Sequence, residues 1–259
     1  MSNVLPATRH VKIMELLKKN GFVKVEELSR LLNVSLLTIR RDLDHMAENG
    51  LLQRTHGGAV FVQQKRVELL YSKKDEVNRA EKMAIGRKAA SLVEDGDLVF
   101  VNSGSTAYHV IMNLARRAHV KIVTNNVAAV VDLENHLGVE IILTGGDYRA
   151  ESHCLVGNYT ELILNSICAN KAIIGADGIS IGLGITSPVA QEAAVTAKML
   201  ERTNGRVIVT ADSSKVGVVS NFVITPIENV DVLVTNKEPY NLDTDDFARH
   251  GVEVVYTDQ

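Results

Sequence analysis

Between residues 8 and 60 the apolar positions recur with a helical period and in short runs. Ile13, Leu16 and Leu17 line one side of a helix over 10–20, which Asn20-Gly21 ends. Val25, Leu28 and Leu32 fall at i, i+3 and i+7 in a second helix, and Asn33-Val34 breaks it. Ser35 then stands where an N-cap belongs, with a hydroxyl placed to accept a free backbone N–H of the next turn. Ile39, Leu43 and Met46 form the inward stripe of this third helix, and Asn49-Gly50 stops it. Residues 51–62 read as two short strands joined at Gly57-Gly58, a small wing. Three short helices and a wing predict an N-terminal winged helix-turn-helix head over 1–62. The polar, charge-rich stretch 63–80 reads as a linker and connecting helix.

From about residue 81 the texture changes. Val/Ile-rich runs recur at 98–101, 120–123, 139–143, 171–174, 207–209, 232–234 and 252–255, without the strict alternation of a half-exposed strand. Strands buried on both faces have that texture. Helical stretches at 84–93, 106–117, 161–167, 190–202 and 245–250 separate several of them. Strand–helix alternation predicts a doubly wound, mostly parallel α/β domain over 81–259.

The chain has 259 residues, 46% hydrophobic and 23% charged, which excludes long disorder, a collagen repeat or a disulfide scaffold. No apolar run reaches the roughly 18 residues of a membrane helix, so no membrane partner is expected. The two cysteines, Cys154 and Cys168, lie far from any CxxC spacing, and the first residues lack a basic-then-apolar signal layout. Both point to a reducing, cytoplasmic location. Charge sharpens the division: residues 1–74 carry 13 Lys and Arg against 7 Asp and Glu, a balance of +6, and the remainder carries −9. A basic head on an acidic body implies a polyanion partner for the head alone. Phe22 and Phe61 are the aromatics of the first 70 residues, so the polyanion is a duplex rather than a single strand held by base stacking.

With Ile39, Leu43 and Met46 facing inward, Ser35, Leu37, Thr38, Arg40 and Arg41 occupy the outward N-terminal half of the third helix, the half that meets base edges in a major groove. Arginine carries the fork that reads guanine or grips phosphate. Arg41 is the expected base reader, Arg40 takes a base edge or a phosphate, and Ser35 and Thr38 anchor phosphates. Leu36-Leu37 suits either thymine methyls or a partner surface. Arg54 and His56 in the wing suit backbone or minor-groove contacts. A three-helix cap with a solvated arginine pair also fits the local pattern.

The body carries a second constellation. After its first strand comes Asn102-Ser103-Gly104-Ser105-Thr106, then a helix. A glycine lets backbone approach an anion, hydroxyls donate, and a helix N-terminus adds N–H groups and a positive dipole end, which suits a phosphate ester; a hydroxyl-rich N-cap turn with no ligand fits the same residues. Further loops at strand C-termini offer Asn125, Gly145, Gly146, Asp177, Gly178 and Lys215, and Glu192 lies on the helix after Pro188. Ligands of open α/β sheets gather at that edge. Lys215 suits a phosphate. Asp177 suits sugar hydroxyls or a turn before Gly178, and Glu192 points either into the cleft or into solvent. The eight histidines are scattered and no Gly-x-Gly-x-x-Gly occurs, so neither a metal nor a nicotinamide cofactor is expected.

Arg9, Ile13 and Leu17, followed by Ser35, Thr38-Ile39-Arg40-Arg41-Asp42-Leu43 and the wing Leu52-Gln53-Arg54-Thr55-His56-Gly57-Gly58-Ala59, resemble the signature of the DeoR family. The resemblance implies a bacterial transcription factor, in most members a repressor of a carbohydrate operon. From about residue 77 the body resembles that family's effector domain, related in fold to ribose-5-phosphate isomerase and coenzyme A transferases, and this implies a sugar-phosphate pocket. The family usually opens its first loop with Asp and then Gly-Thr-Thr. The Asn102 version is similar to the subgroup that regulates L-ascorbate use, and to the isomerase's own phosphate loop. Gly175-Ala176-Asp177 resembles the isomerase's Gly-Ala-Asp-Glu, with Gly178 where the second carboxylate would stand. The expectation is a repressor without enzymatic activity, binding a double-stranded operator as a homodimer or homotetramer under control of a phosphorylated sugar. The alternatives are an isomerase-like enzyme with an appended head, with Glu192 as its base, and an adaptor using the head's basic face.

Overall fold

The structure is a computed structural model that describes residues 6–48, 51–55, 57–61, 70–116, 119–133, 140–236 and 244–257. The head is built from α1 (Pro6–Asn20), β1 (Phe22–Lys24), α2 (Val25–Leu32), α3 (Leu36–Glu48), β2 (Leu52–Thr55) and β3 (Gly58–Phe61). α2 ends on Asn33 in the left-handed region, whose N–H bonds the Ser29 carbonyl. Ser35 caps α3 by accepting from the Thr38 N–H at 3.1 Å. The wing strands form an antiparallel sheet in the order β1-β3-β2. The strand β1 does not show in the periodicity, because three residues between two helices are too few to display an alternation. Ile13, Leu17, Val25, Leu28, Ile39, Leu43 and Met46 make one core with Val23, Leu52 and Ala59. Leu16 sits at the edge of that core rather than within it.

Arg9 and Asp42 clamp α1 to α3. Both guanidinium contacts, Nε at 2.7 Å and Nη2 at 2.9 Å, reach the two oxygens of the Asp42 carboxylate, and His10 Nε2 lies 3.2 Å from it. Burial alone would raise the Asp42 pKa. The hydrogen bonds from Arg9 and His10 outweigh it and hold the carboxyl below its ordinary value.

The body opens with α4 (Tyr71–Glu76) and α5 (Arg79–Ala90), then runs β4 (Leu98–Val101), α6 (Ser105–Leu114), β5 (Lys121–Thr124), α7 (Val127–Val131) and β6 (Glu140–Leu143). A hairpin of β7 (Asp147–Arg149) and β8 (Cys154–Val156) leads to α8 (Asn158–Asn165) and β9 (Ala169–Gly175). Next come β10 (Gly178–Ser180), β11 (Gly184–Ser187), α9 (Ala190–Glu201) and β12 (Thr203–Thr210). The chain closes with β13 (Phe222–Thr225), β14 (Val232–Thr235), α10 (Thr244–Arg249) and β15 (Glu253–Tyr256). All seven strands expected from the Val/Ile runs join one parallel sheet in the order β15-β14-β12-β9-β4-β5-β6. Its two faces are both covered. Val99, Val101, Ile122 and Ile173 pack with Ile85, Val110 and Ile111 of α5 and α6. Phe100, Val123, Ala172 and Ile174 pack with Leu164, Val195 and Met199 of α8 and α9. The short α7, β7, β8, β10, β11 and β13 lie outside the sequence expectation, and the helix expected at 84–93 begins earlier, at Arg79.

Candidate functional site

The outward face of α3 is open. Ser35, Leu36, Leu37, Arg40 and Arg41 are exposed and Thr38 is half-buried, its hydroxyl 2.9 Å from that of Ser35. Arg40 and Arg41 therefore project from the helix while Ile39 and Leu43 are fully buried. Arg54 is placed differently. Its Nε donates to Asp44 Oδ1 at 2.7 Å and its Nη1 donates to the Gly58 carbonyl, so it ties the wing to α3. His56 lies outside the described residues.

In the sheet, the strand order reverses between β4 and β9: the chain runs outward through β5 and β6 on one side, then through β12, β14 and β15 on the other. Loops at the C-terminal ends of those two strands flank a crevice. A cavity of about 90 Å³ lies there, lined by Asn102–Thr106 after β4, Gly175–Asp177 after β9, and Ser187, Glu192, Asp212 and Lys215. Asn102 holds the two loops together. Its amide donates to the Gly175 carbonyl at 3.0 Å and accepts from the Gly175 N–H at 2.8 Å, which a carboxylate cannot do in both directions. Gly104 has φ 118 and ψ 161, a backbone region essentially closed to other residues, and it precedes the first turn of α6. Asn126 supports the loop from behind, donating to the Gly104 carbonyl at 3.3 Å and capping α7. Ser103–Thr106 and the first turn of α6 thus line the cavity, an arrangement suited to anions.

Charge in the cavity is mixed. Lys74, on α4, pairs with both oxygens of Asp177 at 3.0 and 3.2 Å. Lys82 is buried and donates to the Lys74 carbonyl; burial lowers its pKa, with Asp212 opposing that shift. Asp212 accepts from Asn78 at 3.1 Å and from the Ser214 N–H at 3.0 Å. At the other end Glu192 receives Arg149 at 3.2 Å, and burial raises its pKa. Burial also raises the Tyr71 phenol well above its usual value.

A family model described as the DeoR-like helix-turn-helix domain matches residues 9–65, and one described as the DeoR C-terminal sensor domain matches 77–237. The chain belongs to the DeoR family of transcriptional regulators. It is 34% identical over 251 residues to the HTH-type transcriptional repressor GlcR of Bacillus subtilis, covering 97% of this chain and 96% of that one. With the HTH-type transcriptional regulator GolR of Listeria innocua it shares 31% over 235 residues, 91% and 92% of the two chains. Among solved structures, ribose 5-phosphate isomerase A from Methanocaldococcus jannaschii is similar over 54% of this chain and 55% of its own, at 18% identity and a TM-score of 0.40.

The DeoR-family body does not bring every expected residue to its cavity. Asn125 is buried behind it, donating to the Leu155 carbonyl at 2.9 Å. Gly145 and Gly146 follow β6, the edge strand three positions from β9, and pack on α8, where Thr160 donates to the Gly145 carbonyl. Gly178 opens β10, and a Cβ there would lie 2.6 Å from Thr186 Oγ1, so its role is close packing. Conversely, Tyr71, Lys74 and Lys82 line the cavity although they come from the expected linker and the start of the body. Their signal in the sequence is faint: three polar side chains at mixed spacing in a charge-rich stretch. Ser152 and Asp212 also line it. Among the described residues no cluster of three or more potential metal ligands occurs, and no helix is long and apolar enough to cross a membrane.

Proposed function

We propose that this regulator is a repressor whose operator binding is governed by a phosphorylated sugar held in the β4–β9 crevice. The observation that carries the reading is the ion pair of Lys74 with Asp177 across the cavity. The free space of about 90 Å³ is well below the roughly 300 Å³ at which small-molecule sites begin. A sugar phosphate enters only if Lys74 or Asp177 turns away. Lys74 lies on α4, the first described helix after the head, so breaking this pair removes a contact that ties that helix to the cavity.

In the seated ligand the phosphate lies at the Ser103–Thr106 turn with Lys82 and Lys215 as counter-charges, and the sugar hydroxyls face Asp177, Glu192 and Ser152. Glu192, the candidate base of an isomerase-like enzyme, is already paired with Arg149, which supports binding without turnover. Ser35, Leu37, Thr38, Arg40 and Arg41 form the operator face, with Arg54 and His56 contributing at the wing. The functional form is a cytoplasmic homodimer or homotetramer that presents paired heads to half-sites, with domains spanning 1–62 and 81–259 joined by 63–80. Ligand and DNA affinities are then linked reciprocally.

A thermal-shift screen of pentose and hexose phosphates tests the reading. At 100 times Kd a ligand stabilises the folded state by about 2.7 kcal/mol, a rise of roughly 5–11 °C for a domain of this size. The free sugars should give no rise. If no sugar phosphate raises the melting temperature, the effector assignment fails.

A further inference from the structure

The body's antiparallel sheet β10-β11-β13 projects from the crevice like a short arm. Its base belongs to the cavity: Asp177 directly precedes β10, and Ser187, at the end of β11, lines the same space. Three paired residues later, about 10 Å at the usual strand rise, the β10–β11 turn carries Gly182. A Cβ on Gly182 would lie 2.7 Å from Phe22 Cδ1 and 3.0 Å from Phe22 Cβ, so the ring of the head's first strand sits directly on the turn. Beside it Gly21, buried and at φ +72, fits against the Gly217 carbonyl, the Ser180 Cβ and the Val219 side chain, each about 3.1 Å from where its own Cβ would be. Gly217 in turn donates to the Ile179 carbonyl at 2.8 Å, and Val216, bridged to Ile179, joins it to Lys215 of the cavity.

The arm is stiff. Ile179 and Ile185 are fully buried in a core shared with Val209 and Leu233 of the main sheet. The turn itself is held by the Leu183 N–H donating to Ser180 Oγ at 3.2 Å. Two cavity-lining segments, one ending in Asp177 and one in Lys215, therefore converge on the same two residues of the head. In this docked arrangement Ser35, Arg40 and Arg41 stay exposed, so docking leaves the DNA face open.

We propose that this arm is the post on which the DNA-reading head docks, and that it carries the state of the cavity to the head; the second part rests on the effector reading above. Gly182 suits a test, because it lies outside the cavity and its φ lies outside the left-handed region, so a side chain there disturbs Phe22 and not the turn. Amide exchange should be followed in the full chain as wild type, Gly182→Val and Gly182→Ala. Exchange over residues 20–25 should rise at least tenfold in Gly182→Val and less in Gly182→Ala, while residues 98–124 keep wild-type protection as the check on folding. Wild-type exchange over 20–25 in both variants overturns the docking.

Coupling is then read with a duplex selected by the wild-type chain from a random-sequence library and with the sugar phosphate that raises its melting temperature. In Gly182→Val that ligand should still raise the melting temperature, but the ratio of DNA affinities with and without it should move toward one. A ratio equal to the wild type's overturns the coupling. If no sugar phosphate binds the wild type, the effector reading and the coupling fall together, and the exchange data alone decide the docking.

Discussion

Replacing Arg9 by alanine separates two roles a basic residue of the head can have. Arg9 lies in a DNA-binding module, but its side chain is only 7% exposed and its guanidinium forks onto an Asp42 carboxylate that is 9% exposed. Removing it leaves that carboxylate buried with His10 as the remaining partner among the contacts described above. Breaking a buried pair from one side costs about 3–5 kcal/mol. A head of about 55 residues has roughly 3–8 kcal/mol of stability in all. Arg9→Ala should therefore remove between about a third and all of the head's stability and bring its melting forward while leaving the body's transition in place. Calorimetry should show the early transition, and operator binding should fall in proportion to the unfolded fraction. The double variant Arg9→Met with Asp42→Leu should restore the melting temperature, because it removes both charges and keeps the volume. It should also restore DNA binding. If the double variant does not regain stability, the clamp reading is wrong; if it regains stability but not DNA affinity, Arg9 also touches phosphate.

Other consequences follow from the same geometry. Asp42 has a folded pKa below its unfolded value, so its contribution is present above about pH 4 and is lost as pH falls through the folded value. Acid titration of the full chain should unfold the head in that range, and Asp42→Asn should remove the dependence. Arg41→Ala should cost roughly 1–3 kcal/mol in operator affinity and relax base preference, with both melting transitions unchanged; a mobility-shift titration at fixed salt reads it. Gly104→Ala meets no neighbour within 4 Å, so its cost is backbone strain alone, about 1–3 kcal/mol, seen in denaturant unfolding of the body and as weaker sugar-phosphate binding. Lys82→Met tests the proposed phosphate contact: a charged hydrogen bond there is worth about 1.5–3 kcal/mol, so calorimetric affinity should fall about 10- to 150-fold while DNA binding without ligand persists.

Much of this regulator is written in local pattern. A helical stripe needs only its own residues to be recognised, so α2 and α3, the Ser35 cap and the outward Arg40-Arg41 pair are legible directly. The seven sheet strands are equally legible: burial on both faces imposes a Val/Ile texture on the five inner ones, and the half-exposed edge strands β6 and β15 share it. The Asn102–Thr106 turn declares itself through a glycine, hydroxyls and a following helix. Which turns would meet was a different matter. Strand order depends on crossovers that no local pattern encodes, and it is the adjacency of β4 and β9 that brings Asn102 against Gly175 across 73 positions. The same order puts Gly145 and Gly146 on an edge strand, away from the crevice. Lys74 and Tyr71 reach the cavity only because α4 folds back onto the body, where the Tyr71 N–H donates to the Glu151 carbonyl and Lys74 meets Asp177. Sequence determined the parts and the faces they bury, since these follow from side-chain periodicity. Tertiary structure decided the neighbours, since those follow from packing between residues far apart in the chain.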